Sequence, residues 1–260
     1  MKKKATLLIT NLEKIYTMQT IKQKDVIYSH AYLAMHHDVI LEIGEGSYTH
    51  LLDKDTRILE GRSHFAIPAF IETDAVYPAC DEWNKTRKLQ EYRMQYMQHG
   101  VLTMAMDSHA QSFLEMDIVP KQALTYPILY GNAIIKASTK YTKKRFCIST
   151  RDNHFIMQDP LLLAQLLHIK QGMDALLLLK ALTCYPAKAL QLPHVGVLKK
   201  GKQADILICH GNSLSHLFQG LYENHITQIV KKGVRIYPNL LIQHKVRQFF
   251  SSSSYSMLER

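Results

Sequence analysis

The sequence lacks long apolar runs. Its longest apolar segments, LLLAQLLHIK at 161–170 and ALLLLKAL at 175–182, are interrupted. Both fall short of the roughly 18 residues that suggest a transmembrane helix, so we expect no membrane association. The basic start MKKKATLLIT has too short an apolar part for a signal peptide and no small-residue cleavage site. It predicts a first β-strand instead.

Closely spaced cysteine pairs are also absent. The sequence has four cysteines and no C-x-x-C motif, which argues against a disulfide framework and against structural zinc. The pattern is typical of reduced thiols, and we expect a cytoplasmic protein. The cysteines are Cys80, Cys147, Cys184 and Cys209.

A concentrated basic surface is missing as well, although the net charge is +10. The lysines and arginines are scattered along the chain instead of clustering on one helix with aromatic residues between them. Nucleic-acid binding is therefore not expected. A basic oligomer that binds a polyanion is kept as a third functional alternative.

The chain divides into β-rich ends and an α/β-like centre. Residues 5–62 are rich in short strand patterns, and strand patterns return after residue 193. Residues 80–99 predict a helix, with Gly100 as its C-cap. We expect the two β-rich ends to form one module that the centre interrupts.

Helix signals are clearest after residue 158. Asp159 is placed as an N-cap, Pro160 as the first helical residue and Gly172 as the residue just beyond the end. A second helix follows, which Pro186 is expected to interrupt and restart.

The segment GVLKKGKQ at 196–203 nearly matches a phosphate-binding loop. However, Gln203 stands where that motif needs a serine or threonine, and a strand pattern follows instead of a helix. We therefore do not expect nucleotide binding by this loop.

Several motifs together carry a family resemblance. The most specific is TCYPAKALQLPHVGVLKKGKQADI at 183–206, followed by VKKGVRIY at 230–237. The opening segments LLITNLEKIYTM, VILEIGEG and PAFIETDA agree with it. The chain resembles the amidohydrolase superfamily, most closely its imidazolonepropionase-like branch. The resemblance implies a composite β-sandwich that carries a metal-dependent (β/α)₈ barrel.

The chain is too short for that complete fold. About 125 residues lie between Pro68 and Pro193, whereas a whole barrel needs about 200–250. We expect barrel strands at 67–72, 101–106 and 145–150, with room for one or two further units.

The predicted fold class is thus α/β, with a composite β-sandwich module from both chain ends and a truncated barrel. The expected divisions are 1–64 with 194–242 for the sandwich, 65–193 for the truncated barrel and 243–260 for a partly flexible tail.

The metal site implied by the family is altered in this chain. The resemblance implies a His-x-His pair after the first strand and an aspartate after the last, which together hold a metal that activates water. Here Asp74 and Val76 stand at the two histidine positions, and Glu72 stands at the preceding acid position. Either Arg151 or Asp152 takes the place of the final aspartate. We therefore expect either no cofactor or, in an active enzyme, a divalent metal.

A rebuilt metal site is the alternative. Acidic and histidine pairs follow three expected strands, and side chains at i and i+2 leave a strand on one side. Such mixed ligands suit zinc, manganese or iron; otherwise these are solvated turn and cap residues. The candidate ligands are Glu72, Asp74, Asp107, His109, Asp152 and His154, with Asp74 or Asp152 as the catalytic base.

Three functions remain open. The first is a catalytically degenerate amidohydrolase homologue with a binding role, for which a small-molecule ligand is possible. The second is a metal-dependent hydrolase of a cyclic amide or amidine C–N bond, and the third is the polyanion-binding oligomer. A truncated barrel leaves apolar faces uncovered, so we expect a homo-oligomer, most simply a dimer.

Overall fold

The structure is a computed structural model that describes residues 3–76, 85–106, 116–136, 145–151, 159–221 and 223–237. The candidate residues Asp107, His109, Asp152 and His154 lie outside the described residues, as does the expected tail at 243–260. In the part of the chain that is described, no helix is long and apolar enough to cross a membrane.

The described chain contains thirteen strands and six α-helices, which confirms the mixed α/β class. The strands are β1 Leu7–Ile21, β2 Lys24–His36, β3 Val39–Glu45, β4 Arg57–Glu60, β5 His64–Pro68, β6 Phe70–Ala75, β7 Val101–Met106, β8 Asp117–Pro120, β9 Ile128–Tyr130, β10 Cys147–Ser149, β11 Ile206–His210, β12 Ile226–Lys231 and β13 Val234–Tyr237. The helices are α1 Lys85–Gln98, α2 Gly131–Lys136, α3 Pro160–Gln171, α4 Ala175–Leu182, α5 Cys184–Ala189 and α6 Ser215–Gln219, with a 3₁₀ turn at Thr49–Leu51.

The large sheet combines the two ends of the chain. Its order is β13-β12-β11-β5-β1-β2-β3, and β4 pairs with β1 in parallel. Tight turns connect two of its hairpins. Lys22 and Gln23 join β1 to β2, Lys232 and Gly233 join β12 to β13, and all four residues have positive φ angles. Paired positive φ values match the right-handed twist of a hairpin.

The expected boundary between residues 64 and 65 falls at the start of a strand of this large sheet. Strand β5 pairs antiparallel with β11 and parallel with β1. After Pro68 and Ala69 the chain enters β6, which belongs to a different sheet. The chain therefore leaves the large sheet between Pro68 and Phe70.

The remaining strands are short and parallel. β6, β7 and β8 form one sheet in that order, and β9 pairs with β10 in another. β10 lies beside β6, and helices α3, α4 and α5 pack on this pair of strands. A continuous apolar core runs between them, including the fully buried Phe70, Phe146 and Leu163.

The helix ends follow the predicted signals, with one displacement. α1 ends before Gly100, which has a φ of +85°, and α3 begins after Asp159 and ends at Gly172 with a φ of +63°. The break after α4 occurs at Thr183, not at Pro186. Pro186 lies in the first turn of α5, where a helix makes no use of a backbone N–H, so the proline does not interrupt it.

Candidate functional site

Four strands bring their carboxyl ends to one rim. Asp74 lies near the end of β6, Lys121 directly follows β8, Tyr130 ends β9 and Arg151 lies two residues after β10. The carboxyl ends of parallel strands are where α/β folds place their ligands. This rim is therefore the candidate functional site.

Asp74 is the centre of the rim, and protein groups occupy both of its carboxylate oxygens. Arg151 Nη1 donates to Oδ1 at 2.9 Å and to Oδ2 at 2.8 Å. Lys121 Nζ lies 2.5 Å from Oδ1, and the Tyr130 hydroxyl donates to Oδ2 at 2.9 Å. Burial on its own would raise the pKa of Asp74, but these donors outweigh it and lower that pKa below its ordinary value.

Glu72 is turned into the core beside this cluster. It is fully buried, and its Oε2 accepts hydrogen bonds from the Thr150 backbone N–H at 2.9 Å and the Thr150 hydroxyl at 2.8 Å. Its Oε1 accepts from the Asp74 backbone N–H at 3.0 Å. Burial raises the pKa of Glu72, and the donors from Ser149, Thr150 and Asp74 only partly oppose that shift. Glu72 thereby ties β6 to β10.

A chain of hydroxyl groups extends from Glu72 toward α1. The Tyr96 hydroxyl lies 2.5 Å from Thr150 Oγ1, and the Tyr92 hydroxyl lies 3.4 Å from that of Tyr96. Burial raises the pKa of Tyr92 to about 12 and that of Tyr96 well above its usual value. Both phenols are therefore neutral, and they are placed to donate toward the buried carboxylate.

A cavity of about 390 Å³, here called the rim cavity, opens beside Asp74. Thr73 is almost fully buried in its wall, and its hydroxyl has no hydrogen-bond partner among the described residues. Cavities of this volume accept small organic molecules. The lining residues are Thr73, Asp74, Lys121, Gln122, Leu124, Tyr126, Ile128 and Tyr130.

The described residues of this rim do not, as they are arranged here, fit a divalent metal. Both oxygens of Asp74 already contact positively charged side chains, and a cation there would meet Lys121 and Arg151 at close range. The oxygens of Glu72 accept internal hydrogen bonds, and Val76 offers no ligand atom. No group of three or more His, Cys, Asp or Glu side chains capable of holding a metal occurs within the described ranges.

The sequence identified part of this rim. Glu72 and Asp74 both lie there, and Arg151 stands at the end of the last expected barrel strand. The catalytic and metal-binding roles proposed for these acids stay predictions, as do those of Asp107, His109, Asp152 and His154. Lys121 and Tyr130 were not predicted as rim residues, because the short strands β8 and β9 were not recognised from the sequence. A signal was available in the apolar segment DIVP, which a lysine follows directly.

Comparisons with known proteins agree with this architecture. The amidohydrolase family matches residues 84–236, which is more than half of the chain. Among curated proteins, none matches the sequence significantly.

Solved structures show the same fold at low sequence identity. The atrazine chlorohydrolase of Arthrobacter aurescens TC1 complexed with zinc is 10% identical with a TM-score of 0.58, over 93% of this chain and 98% of that chain. Molinate hydrolase is 8% identical with a TM-score of 0.65, over 91% and 95%. A Xaa-Pro dipeptidase with bound methionine is 10% identical with a TM-score of 0.61, over 88% and 99%.

Proposed function

Because the chain belongs to the amidohydrolase family, we propose that it is a member in which an internal ion-pair cluster replaces the divalent metal. Lys121 and Arg151 supply the positive charge that Asp74 would otherwise receive from a metal ion. The single observation that carries this proposal is the occupation of both Asp74 oxygens by these two side chains. In this proposal the scaffold serves for binding, not for hydrolysis by metal-activated water.

A buried charge at this rim needs a partner of opposite charge. The side chain of Asp74 is 7% exposed, and an unpaired carboxylate at such a place loses several kcal/mol of hydration. A metal or an organic cation can offset that loss, but one position cannot hold both. The depressed pKa of Asp74 keeps the carboxylate ionised and makes it a weak base. It is therefore a poor group for taking a proton from water.

At the level of the fold, we propose that β6, β7, β8, β9 and β10 are the retained strands of a truncated barrel. Their order, β8-β7-β6-β10-β9, keeps the first strand beside the last, as in a closed barrel. In the same proposal, the large sheet corresponds to the composite β-sandwich module. The rim cavity then lies at the carboxyl ends of these strands, where barrel folds place their active sites.

The second candidate is a metal-dependent hydrolase of a cyclic amide or amidine C–N bond. The zinc in the atrazine chlorohydrolase structure supports it at the level of the fold. It requires Asp74 to exchange Lys121 and Arg151 for a metal, with Asp152 as the second candidate base.

Thermal unfolding with and without metal separates the two candidates. A metal ion that binds the native state, at a free concentration of about 100 times its dissociation constant, stabilises that state by about 2.7 kcal/mol. This moves the unfolding midpoint by several degrees. We expect zinc, manganese, ferrous iron and a chelator to leave the midpoint unchanged. A metal-dependent rise that disappears in Asp74→Ala, but not in a control variant of the exposed Asp55, Asp55→Ala, would favour the hydrolase.

A further inference from the structure

A second and larger cavity lies on the large sheet, away from the rim. It has a volume of about 590 Å³ and forms where the start of β3 meets the turn at 199–202. We call it the seam cavity and define it by Lys3, His36, Leu41, His50, Leu51 and Lys200. None of its lining residues belongs to the cluster around Asp74.

The walls of the seam cavity are fixed by backbone hydrogen bonds. The Ile40 N–H donates to the Lys202 carbonyl at 2.8 Å, and the Gly201 N–H donates to the Ile40 carbonyl at 2.8 Å. On the other side, the Ala5 N–H donates to the Leu51 carbonyl at 2.9 Å. The cavity is therefore formed before any ligand arrives, which reduces the entropy that binding would cost.

Two lysine side chains at the mouth of the seam cavity carry positive charge. Lys3 and Lys200 are exposed, and neither ammonium group forms a hydrogen bond or ion pair within the described chain. Among the described lining residues one carries a carboxylate, Glu42, and this group accepts hydrogen bonds from the Tyr32 hydroxyl at 2.6 Å and from His50 Nε2 at 3.0 Å. The hydrogen bond from Tyr32 is the main cause that lowers the pKa of Glu42. Glu42 is thus hydrogen-bonded to its neighbours, and the positive charge of Lys200 also lowers its pKa.

A histidine adds a polar group with a fixed orientation. His36 Nδ1 lies 2.7 Å from the Lys4 carbonyl oxygen, which can only accept, so Nδ1 carries the proton. The Lys4 ammonium in turn donates to the His50 carbonyl at 2.9 Å. These bonds hold the segment at residues 3–4 against the cavity.

The inner surface is apolar. Ile40 and Leu51 are buried there, and Val39 and Leu41 are partly buried beside them. An inorganic ion would leave this surface unfilled, whereas an apolar body would cover it and gain about 0.8 kcal/mol for each buried methylene. The N–H groups of Gly201 and Lys202 are used within the protein, so this turn does not cradle a phosphate.

We propose that the seam cavity binds a small amphiphilic monoanion, namely a medium-chain carboxylate. Its carboxylate pairs with Lys3 and Lys200, and its alkyl chain lies against Leu41 and Leu51. The volume is within the range of about 300–1,000 Å³ that is usual for small-molecule sites. Binding at the seam cavity does not depend on whether the Asp74 site holds a metal, because the two cavities share no residue.

Calorimetric titration of the full chain with octanoate, acetate and octylamine tests this proposal. We expect octanoate to bind at least about tenfold more tightly than acetate, because acetate lacks the apolar chain. Octylamine has the same chain and the opposite charge, and we expect it to bind at least about tenfold more weakly than octanoate.

Two neighbouring lysines provide a matched pair of variants. Both side chains are exposed, but Lys200 lines the seam cavity and Lys199 does not. We expect Lys200→Glu to weaken octanoate binding about tenfold, and Lys199→Glu to change it less than about twofold. Equal thermal midpoints for the two variants show that both remain folded.

Four results would overturn the proposal. They are the absence of saturable octanoate binding at millimolar concentrations, equal affinities for octanoate and acetate, equal affinities for octanoate and octylamine, and equal effects of the two lysine variants.

Discussion

Asp74 shows how one buried acid selects its partner. Its carboxylate and Arg151 Nη1 are 2.8–2.9 Å apart, and at that distance the attraction is about 6 kcal/mol for an effective dielectric constant near 20. Much of this attraction only offsets the hydration that the two groups lose on burial, so the net contribution of the ion pair to stability is small. Removing one partner is nevertheless costly, because the other charge stays buried. The Arg151 side chain is 39% exposed, and solvent weakens its share of that cost.

The coupling between Asp74 and Arg151 can be measured with a double-mutant cycle. We expect Asp74→Asn and Arg151→Met to show a coupling free energy of about 1–2 kcal/mol in urea unfolding. Arg87 and Glu91 provide the control, since they form an exposed pair with atoms 2.9 Å apart. That pair should couple by only about 0.3–0.5 kcal/mol. A coupling no larger than the control would mean that the ion pair does not stabilise the rim.

Helices α3 and α4 show how short polar signals set the limits of elements. The carboxylates of Asp159 and Asp174 accept hydrogen bonds from Leu162 N at 3.0 Å and Leu177 N at 2.8 Å, three residues further on. Each bond satisfies a backbone donor that the helix leaves unpaired. Asp159 has a second contact, because its Oδ2 lies 3.0 Å from His99 Nδ1, within ion-pair distance but without hydrogen-bond geometry.

The two caps should therefore differ in strength. We expect Asp174→Ala to lower the free energy of unfolding by about 1 kcal/mol, the usual value for an N-cap. Asp159→Ala should cost more, about 1.5–2 kcal/mol, since α3 is more deeply buried and the contact with His99 is lost. Urea unfolding of both variants checks the order. If Asp174→Ala is the more destabilising, the contact with His99 contributes nothing.

Elements with local signals were predictable from the sequence, and those without were not. The first strand, α3 with its caps, and the strands β7 and β10 follow from patterns within a few residues. β8 and β9 are four and three residues long and, like the three-residue β10, show no periodicity of their own; β10 is expected from the longer segment KKRFCIST in which it lies. The contact of Asp74 with Tyr130 joins residues 56 positions apart, so it depends on strand order and not on any local pattern.

At the scale of the whole molecule, a buried network joins the large sheet to the strands of the rim. Lys231, at the end of β12, is 1% exposed, and its ammonium donates to Asp117 Oδ2 and Asp205 Oδ2, each at 2.7 Å, and to the Leu102 carbonyl at 3.1 Å. All three of its protons therefore have acceptors. Lys232 contacts the other oxygen of Asp117 at 2.7 Å.

The oligomeric state, for which a homodimer is expected, stays a prediction.

Asp117 should make this connection sensitive to acid. Burial would raise the pKa of Asp117, but Lys231, Lys232 and Gln203 lower it overall. An acid with a lowered folded-state pKa contributes stability above its unfolded-state value, near 3.8, and that contribution is lost as the pH falls through the folded-state value. We expect Asp117→Asn to cost about 2–3 kcal/mol near pH 7. The difference from wild type should shrink below about pH 4.

Urea unfolding across this pH range measures the effect, with Asp55→Asn as the control at an exposed aspartate. A constant difference between Asp117→Asn and wild type down to about pH 3 would contradict the assigned role of Asp117.

The most direct test of the central claim is elemental analysis of the full chain, purified without chelators and without a histidine tag. If Lys121 and Arg151 replace the metal at Asp74, zinc, manganese and iron should together amount to far less than one atom per chain. Asp74→Ala should leave this content unchanged. About one atom per chain in the wild-type protein, lost in Asp74→Ala, would contradict the account and establish a metal centre at this rim.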